Sequence, residues 1–461
     1  MAESTHTNFI IVLVDDLGYD EVGFMGSDEM FSPNLDALAA EGTIFRQGYV
    51  TSSVCGPSRA GLISGRYQDR FGIWGNFGGQ AQKGFPLNQP MLQDTLKQAG
   101  YTTGAVGKWH FGHGEDHYRP WLRNFDYFYG FLAGGHDYYR AGKDYSGKTP
   151  LWPIHRNEAI VDYPEGNYLT EEFSREAVAF IERNKEEPFF LYLAYNAVHH
   201  PWVAPQSYLD RVAQMKEGEF ETKERQLLSA MLLAVDDGVG AIRETLKAHD
   251  LDQNTAILFL SDNGYQTSIR RTETANTLDF EADLRGFKGD TYEGGIRVPF
   301  MIHWPEQVPA GQIYDEPVIA LDIAPTITRF LGLDDPQTGY DGTNLIPYLN
   351  GSKPEAPHEW LFFRYFHDIA YRKGDWVLTW NDQEKRATVG ASRKQLNMAE
   401  VDAMLFNLSD DPIQRQDVRR LYPEKFQELH NDYLRLIAEF PEPAFPALFD
   451  TPYSVEYAED L

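Results

Sequence analysis

The sequence predicts an α/β fold: a mostly parallel sheet covered by helices on both faces, followed by a smaller α+β part. Three observations predict it. Short continuous apolar runs at 9–14 (FIIVLV), 189–195 (FFLYLAY) and 256–260 (AILFL) read as strands buried on both faces. Stretches with helical spacing and end signals lie between them, the alternation that builds a parallel sheet. Beyond Gly351 the pattern changes to short strands divided by turn residues.

The first strand is 9–14, by its unbroken apolar run. Ser32-Pro33 opens a helix through 34–40 that stops at Gly42, in keeping with proline near a helix start and glycine past its end. Helices follow near 91–98 and 170–183, then the strand 189–195. A long amphipathic helix around 225–249 leads into the strand 256–260. Residues 298–303 form a further strand and 322–331 a helix. The segment 352–357 (SKPEAP) reads as a linker, so 1–351 is expected to be a large α/β domain and 352–461 a smaller α+β one. In the latter, 360–365, 368–372 and 375–380 are short strands with turns such as Lys373-Gly374, and a helix over 423–439 closes it. No internal repeat is present.

Composition sets bounds. The 461 residues include 42% hydrophobic and 24% charged, ordinary for a globular chain with a large core. The net charge of −28 argues against a nucleic-acid partner, which demands a basic surface. The run 9–14 is too short to span a bilayer. No n-region, h-region and cleavage site precede it, so both an internal protein and one freed of an export signal fit this start. The single cysteine, Cys55, excludes an internal disulfide and a thiolate metal cluster. A lone cysteine is ordinarily a small buried hydrophobe, so its neighbours decide its meaning.

Asp15 and Asp16 follow directly on the first strand, and Asp262 and Asn263 follow the strand 256–260. Sites in open α/β sheets form outside the carboxyl ends of strands, so two strands would deliver these four side chains to one edge. Three carboxylates and an amide carbonyl suit a hard cation, Ca²⁺ or Mg²⁺; the plain alternative is a pair of turns or helix caps. Next comes Cys55-Gly56-Pro57-Ser58-Arg59, then a helix-like stretch ending at Gly65. In Gly107-Lys108-Trp109-His110-Phe111-Gly112, a cation and an imidazole two residues apart would share a face of an extended segment. Further on stand Asn196-Ala197-Val198-His199-His200-Pro201, Leu284-Arg285-Gly286-Phe287-Lys288-Gly289 and Tyr292-Glu293-Gly294-Gly295.

Together these motifs, with Arg372-Lys373-Gly374-Asp375-Trp376 and Leu405-Phe406-Asn407-Leu408 near the end, resemble the type I, formylglycine-dependent sulfatases of the alkaline-phosphatase-like superfamily, bacterial polysaccharide sulfatases among them. The resemblance spans nearly the whole chain. Ser64 stands where the family often has Thr, and Val198 where it often has Pro; neither removes a reacting group. The resemblance implies a large mixed, mostly parallel sheet sandwiched by helices. It implies that a formylglycine-generating enzyme oxidises Cys55, and that Ca²⁺, in preference to Mg²⁺, is held by Asp15, Asp16, Asp262, Asn263 and the converted Cys55. Arg59 and Lys108 would hold the converted residue, Asp262 would help activate it, His199 and Lys288 would assist the departing alcohol, and His110 would be the base for the final elimination. A periplasmic or extracellular home is implied in the same way.

A sulfate ester is an anion, so its pocket must be basic within an acidic body; a divalent cation with Arg59, Lys108 and Lys288 meets that need. The aromatic stretches 124–131 and 134–140 offer faces for sugar rings, or else are core. His136, Arg140, His200 and Arg364 are candidates for binding a sulfated carbohydrate such as a carrageenan-type galactan, with His303 and His367 as further pocket candidates. Three alternatives stay open here: a phosphonate or phosphate ester hydrolase of the same superfamily, a carbohydrate-binding pseudoenzyme, and a zinc phosphatase with more histidine around its metal.

Overall fold

The computed structural model describes residues 7–77, 83–141, 153–163, 166–266, 284–333, 339–381 and 403–444. Five parallel strands form its centre, in the spatial order Thr255–Ser261, Asn8–Val14, Phe189–Ala194, Thr102–Lys108 and Tyr127–Phe131. The ten-stranded sheet continues on one side through Phe300–His303, Thr43–Phe45 and Gln312–Tyr314, and on the other through His155–Arg156 and Ala159–Ile160. Phe300–His303 runs antiparallel to Thr255–Ser261, so the sheet is mixed as expected.

All seven residues of Asn8–Val14 are buried. Alternation sends Ile10, Val12 and Val14 into one hydrophobic core and Phe9, Ile11 and Leu13 into the other. The first core is closed by the helices Pro33–Ala40, Leu169–Asn184 and Lys223–Ala248, the second by Cys55–Ser64, Leu92–Gln98 and Ile323–Phe330. Each fully buried aliphatic side chain contributes roughly 1.5–3 kcal/mol, which is why the run stays apolar until it leaves the sheet at Asp15.

Several observed strands lie outside the expected set, mostly short ones at the sheet margins, and two of them are instructive. Thr102–Lys108 was hidden by its composition, TTGAVGK, yet lies near the sheet centre. Gly107 has φ +110°, and a Cβ there would sit 1.9 Å from the Ala194 carbonyl oxygen, so the backbone pairing itself demands glycine. Met404–Asn407 is an additional strand of a second, four-stranded antiparallel sheet, after Trp360–Tyr365, Asp368–Lys373 and Trp376–Trp380.

The helix Pro423–Ile437 covers that small sheet with Leu429, Tyr433 and Leu436. Polar contacts tie it to the main body. Arg372 Nη1 donates to Tyr49 Oη at 2.5 Å and Nη2 to Gln47 Oε1 at 2.6 Å, and Arg364 N donates to Thr51 O at 3.1 Å. Among the described residues no helix is long and apolar enough to cross a membrane.

Candidate active site

Because the five central strands are parallel, their carboxyl ends share one edge, and the predicted residues gather there. Asp15 and Asp16 leave the strand Asn8–Val14, Lys108 ends Thr102–Lys108, His199 follows Phe189–Ala194, and Asp262 and Asn263 follow Thr255–Ser261. Two bonds from Ser261 fasten the acidic loops: its Oγ accepts from Leu17 N at 3.0 Å and donates to Asn263 O at 2.8 Å. Asp16 N donates to Asp262 Oδ1 at 3.2 Å. Asp16 has φ +63°, a left-handed conformation that aspartate tolerates better than most residues.

Cys55 opens the helix Cys55–Ser64, every residue of which is buried. Gly65, at φ +64°, ends the helix by donating its N–H to Gly61 O, the usual left-handed glycine stop. Asn76 Oδ1 accepts the Gly56 N–H at 2.8 Å. The Cys55 thiol donates to Asp15 Oδ1 at 3.3 Å. Ligand atoms of Asp15, Asp16, Cys55 and Asp262 all lie within 4.8 Å of one another.

Each carboxylate has its own cation. Lys108 Nζ lies 2.6 Å from Asp15 Oδ2, Lys288 Nζ 2.7 Å from Asp16 Oδ1, and Arg59 Nε 2.8 Å from Asp262 Oδ2. Three acids against three bases leave the cluster formally neutral, so a divalent cation would turn it positive while the chain as a whole stays at −28. Asn263 Nδ2 donates to Asp16 Oδ1 at 2.8 Å, while its buried Oδ1 has no hydrogen-bond partner. An orphaned buried acceptor costs stability unless something takes its lone pairs, and a hard cation does so. The residues present therefore fit Ca²⁺ or Mg²⁺. No histidine belongs to the cluster among the described residues.

The electrostatics follow from burial. Burial, with the Asp262 charge added, pushes the Asp15 carboxyl up to about 7 against Lys108. Burial acts on Asp16 in the same sense, but Lys288, His199 and Lys108 outweigh it and hold Asp16 below the ordinary carboxylate range. Burial, then Asp15 and Asp262, drives the Cys55 thiol far above its ordinary value, so these surroundings disfavour a thiolate nucleophile. Burial and Lys288 press His199 down to about 3, with Asp16 opposing. Burial, Lys108 and Arg59 depress His110 well below its ordinary value.

His199 Nδ1 lies 2.6 Å from the His200 carbonyl oxygen. That oxygen can only accept, so Nδ1 carries a hydrogen and Nε2, 3.8 Å from Asp16 Oδ2, faces the carboxylates. His110 is buried and its Nε2 edge rests on Gly134. The expected extended segment does not continue to it: Lys108 ends a strand, but His110 has φ +57°, so a turn and not a shared strand face brings the two together.

The candidates for sugar binding differ in exposure and partners. His136 is 1% exposed, packed against Phe131 with Nδ1 2.6 Å from the Asp137 carbonyl, and is a core residue by its surroundings. Arg140 turns outward and pairs with Asp137 at 3.2 Å. His200 is part-exposed beside Trp202. Arg364, 4% exposed, pairs with buried Asp69 at 2.7 Å and stacks over Trp74 at 4.1 Å. His367 is part-exposed in the turn after Trp360–Tyr365. His303 is excluded from this edge: its strand is antiparallel and it pairs in register with Ile257, at the other end of the sheet. Phe125, Phe128 and Phe131 are core, so most of the 124–131 cluster packs inward.

Comparison with known proteins follows the same lines. The Sulfatase family model matches residues 7–333, and that of N-sulphoglucosamine sulphohydrolase, C-terminal, matches residues 287–387. Arylsulfatase A of Homo sapiens is 31% identical over 385 residues, 79% of this chain and 71% of that protein. Arylsulfatase G of Rattus norvegicus is 29% identical over 473 residues, 94% of this chain and 86% of that protein. The crystal structure of Ps i-CgsB in complex with k-i-k-neocarrahexaose matches with a TM-score of 0.82 at 32% identity, covering 99% of this chain and 98% of that one.

Proposed function

Since the chain belongs to the sulfatase family, with its alkaline-phosphatase-like fold and sulfuric ester hydrolase activity, we propose that it removes sulfate from a sulfated carbohydrate of the carrageenan-galactan type. Cys55, oxidised to formylglycine by a maturation enzyme, is the nucleophile in this reading, and Asp15, Asp16, Asp262 and Asn263 hold Ca²⁺ together with the converted residue. The observation that carries it is the buried cluster itself: three carboxylates and Cys55 with ligand atoms within 4.8 Å of one another, each carboxylate paired with a cation. Similarity over 99% of the chain to a structure that binds k-i-k-neocarrahexaose supports the substrate class.

Bound Ca²⁺ would supply Lewis acidity, drawing charge from the sulfate oxygens. Formylglycine would supply a hydrated aldehyde, whose two hydroxyls allow attack on sulfur and later release of sulfate by elimination. The chain's own residues do the rest. Arg59 and Lys108, wholly buried, hold position 55 and counter the charge gathered there. Lys288, the one of the three cations that is part-exposed, would meet the incoming ester. His199 Nε2, which takes up a proton when the seated sulfate anion offsets the burial and the Lys288 and Lys108 charges that disfavour the imidazolium, delivers that proton to the departing alcohol. His110, kept neutral by burial and its cationic neighbours, is poised to accept a proton in the elimination.

The test is sulfate release from sulfated galactans, their oligosaccharides, 4-nitrophenyl sulfate and an aryl phosphonate. The protein is co-produced with a formylglycine-generating enzyme, Cys55 conversion is followed by peptide mass, and Cys55→Ser serves as blank. Release from a galactan, absent in the blank, is the expected result. Preference for the phosphonate, or no release from any glycan by fully converted protein, would sink the reading.

A further inference from the structure

We propose that Tyr138 is a positioning residue for His199, its hydroxyl holding the turn that aims Nε2 at the departing alcohol; this rests on the reading of His199 given above and deepens it. Tyr138 is fully buried, its ring packed on Tyr168 with centroids 5.5 Å apart. The hydroxyl lies 2.7 Å from Asn196 O and 2.8 Å from His199 O. A hydroxyl has one proton, so two carbonyls share it. These carbonyls frame one turn, because His199 N donates to Asn196 O at 2.9 Å. Tyr138 thus closes from outside the turn that carries the imidazole.

The same loop also bounds the ring. A Cβ at Gly135 would come within 3.3 Å of His199 Cε1 and 3.7 Å of Nδ1, and a Cβ at Gly134 within 2.8 Å of His110 Nε2. Bare backbone at 134–135 is therefore packed against both imidazoles. Filling space needs only an aromatic ring at 138. The hydroxyl adds two bonds, and both go to the main chain that presents His199.

The chemistry gives a readout that packing would not move. When the attacking oxygen bonds to sulfur, the bond from sulfur to the ester oxygen breaks, and its electron pair passes to that oxygen. On a sugar the result is a strongly basic alkoxide that needs the proton from His199 Nε2. A 4-nitrophenolate leaves without one. Misplacing the donor therefore penalises sugar sulfates selectively, and displacement of about 1 Å costs on the order of 10²-fold.

The experiment compares Tyr138→Phe, Gly135→Ala, His199→Ala and the double variant Tyr138→Phe/His199→Ala, all with Cys55 conversion verified by peptide mass. Substrates are k-i-k-neocarrahexaose and 4-nitrophenyl sulfate. Tyr138→Phe is expected to lower kcat on the hexaose about 10- to 100-fold. Its KM should stay within about threefold, and aryl sulfate turnover should fall less than about threefold. His199→Ala should show the same selectivity more strongly, and Tyr138→Phe should then add nothing in the double variant. Equal loss on both substrates, no loss, or additivity on the His199→Ala background would overturn the positioning role while leaving His199 in place. If His199→Ala itself shows no selectivity for the sugar, the donor reading falls and this inference with it. Gly135→Ala, which keeps the hydroxyl and crowds the ring, must show the same selectivity should Tyr138→Phe fail to fold.

Discussion

At the scale of single residues, the cation beside each acid decides what its loss would do. Arg59 and Asp262 are wholly buried, and breaking a buried pair costs about 3–5 kcal/mol because a charge is left uncompensated. Arg59→Met is therefore expected to unfold early, with or without ion. Lys288 is 17% exposed and its loss is milder, leaving Asp16 short of a counter-charge that Ca²⁺ would then replace. A ligand at 100 times its Kd stabilises by about 2.7 kcal/mol. Saturating Ca²⁺ should thus raise Tm in the wild type, more so in Lys288→Met, and less in Asp262→Asn. Calorimetric scans with and without chelator check this, and a wild-type Tm indifferent to Ca²⁺ would remove the metal from the proposed site.

At the scale of elements, one helix caps another. Asp236, in the helix Lys223–Ala248, accepts from Leu35 N at 2.8 Å, Asn34 N at 3.1 Å and Asn34 Nδ2 at 2.8 Å, satisfying the start of Pro33–Ala40. Asp236→Ala should lose about 1–3 kcal/mol in a denaturant titration, since buried donors are orphaned. Burial raises this carboxyl to about 6 despite the bonds it accepts. The folded state then binds the extra proton between roughly pH 4 and 6, so this group's contribution falls as pH rises through that window. Asp236→Asn, which keeps an acceptor but cannot ionise, should therefore lose ground to the wild type as pH drops from 6 to 4. The opposite trend would show the carboxyl ionised throughout.

The elements that were legible had a local signature. Residues 9–14 and 256–260 announce themselves because a strand buried on both faces must be apolar throughout. Thr102–Lys108 did not, because its glycine at 107 answers to the carbonyl of a neighbouring strand 87 positions on. The direction of Phe300–His303 was equally hidden, and with it the fact that His303 faces away from the site. Cys55, Arg59, Lys108, His199 and Lys288 could be read from motifs because their chemistry is in the side chain. Ser261 and Tyr138 could not, since each acts on backbone groups remote in sequence, Leu17 and His199.

At the scale of the whole molecule, the −28 charge sets how a long substrate arrives. The site's own ions cancel three against three, and its field with a bound cation is short-ranged, because the Debye length is about 8 Å at 0.15 M salt. A short aryl sulfate can lie within that range. A sulfated polymer cannot: most of its charges would meet the acidic body, where repulsion slows approach and weakens binding. Raising salt from ~0.01 to ~0.3 M shrinks the screening length from about 30 Å to less than 8 Å, relieving the repulsion while leaving contacts inside the pocket largely intact. KM for a polymeric sulfated galactan should therefore fall across that range, while KM for 4-nitrophenyl sulfate changes little or rises. Initial-rate series at fixed pH and Ca²⁺ check it. A polymer KM that climbs with salt would mean that the chain presents a cationic track to its substrate, and the acidic surface would have to be assigned to another face.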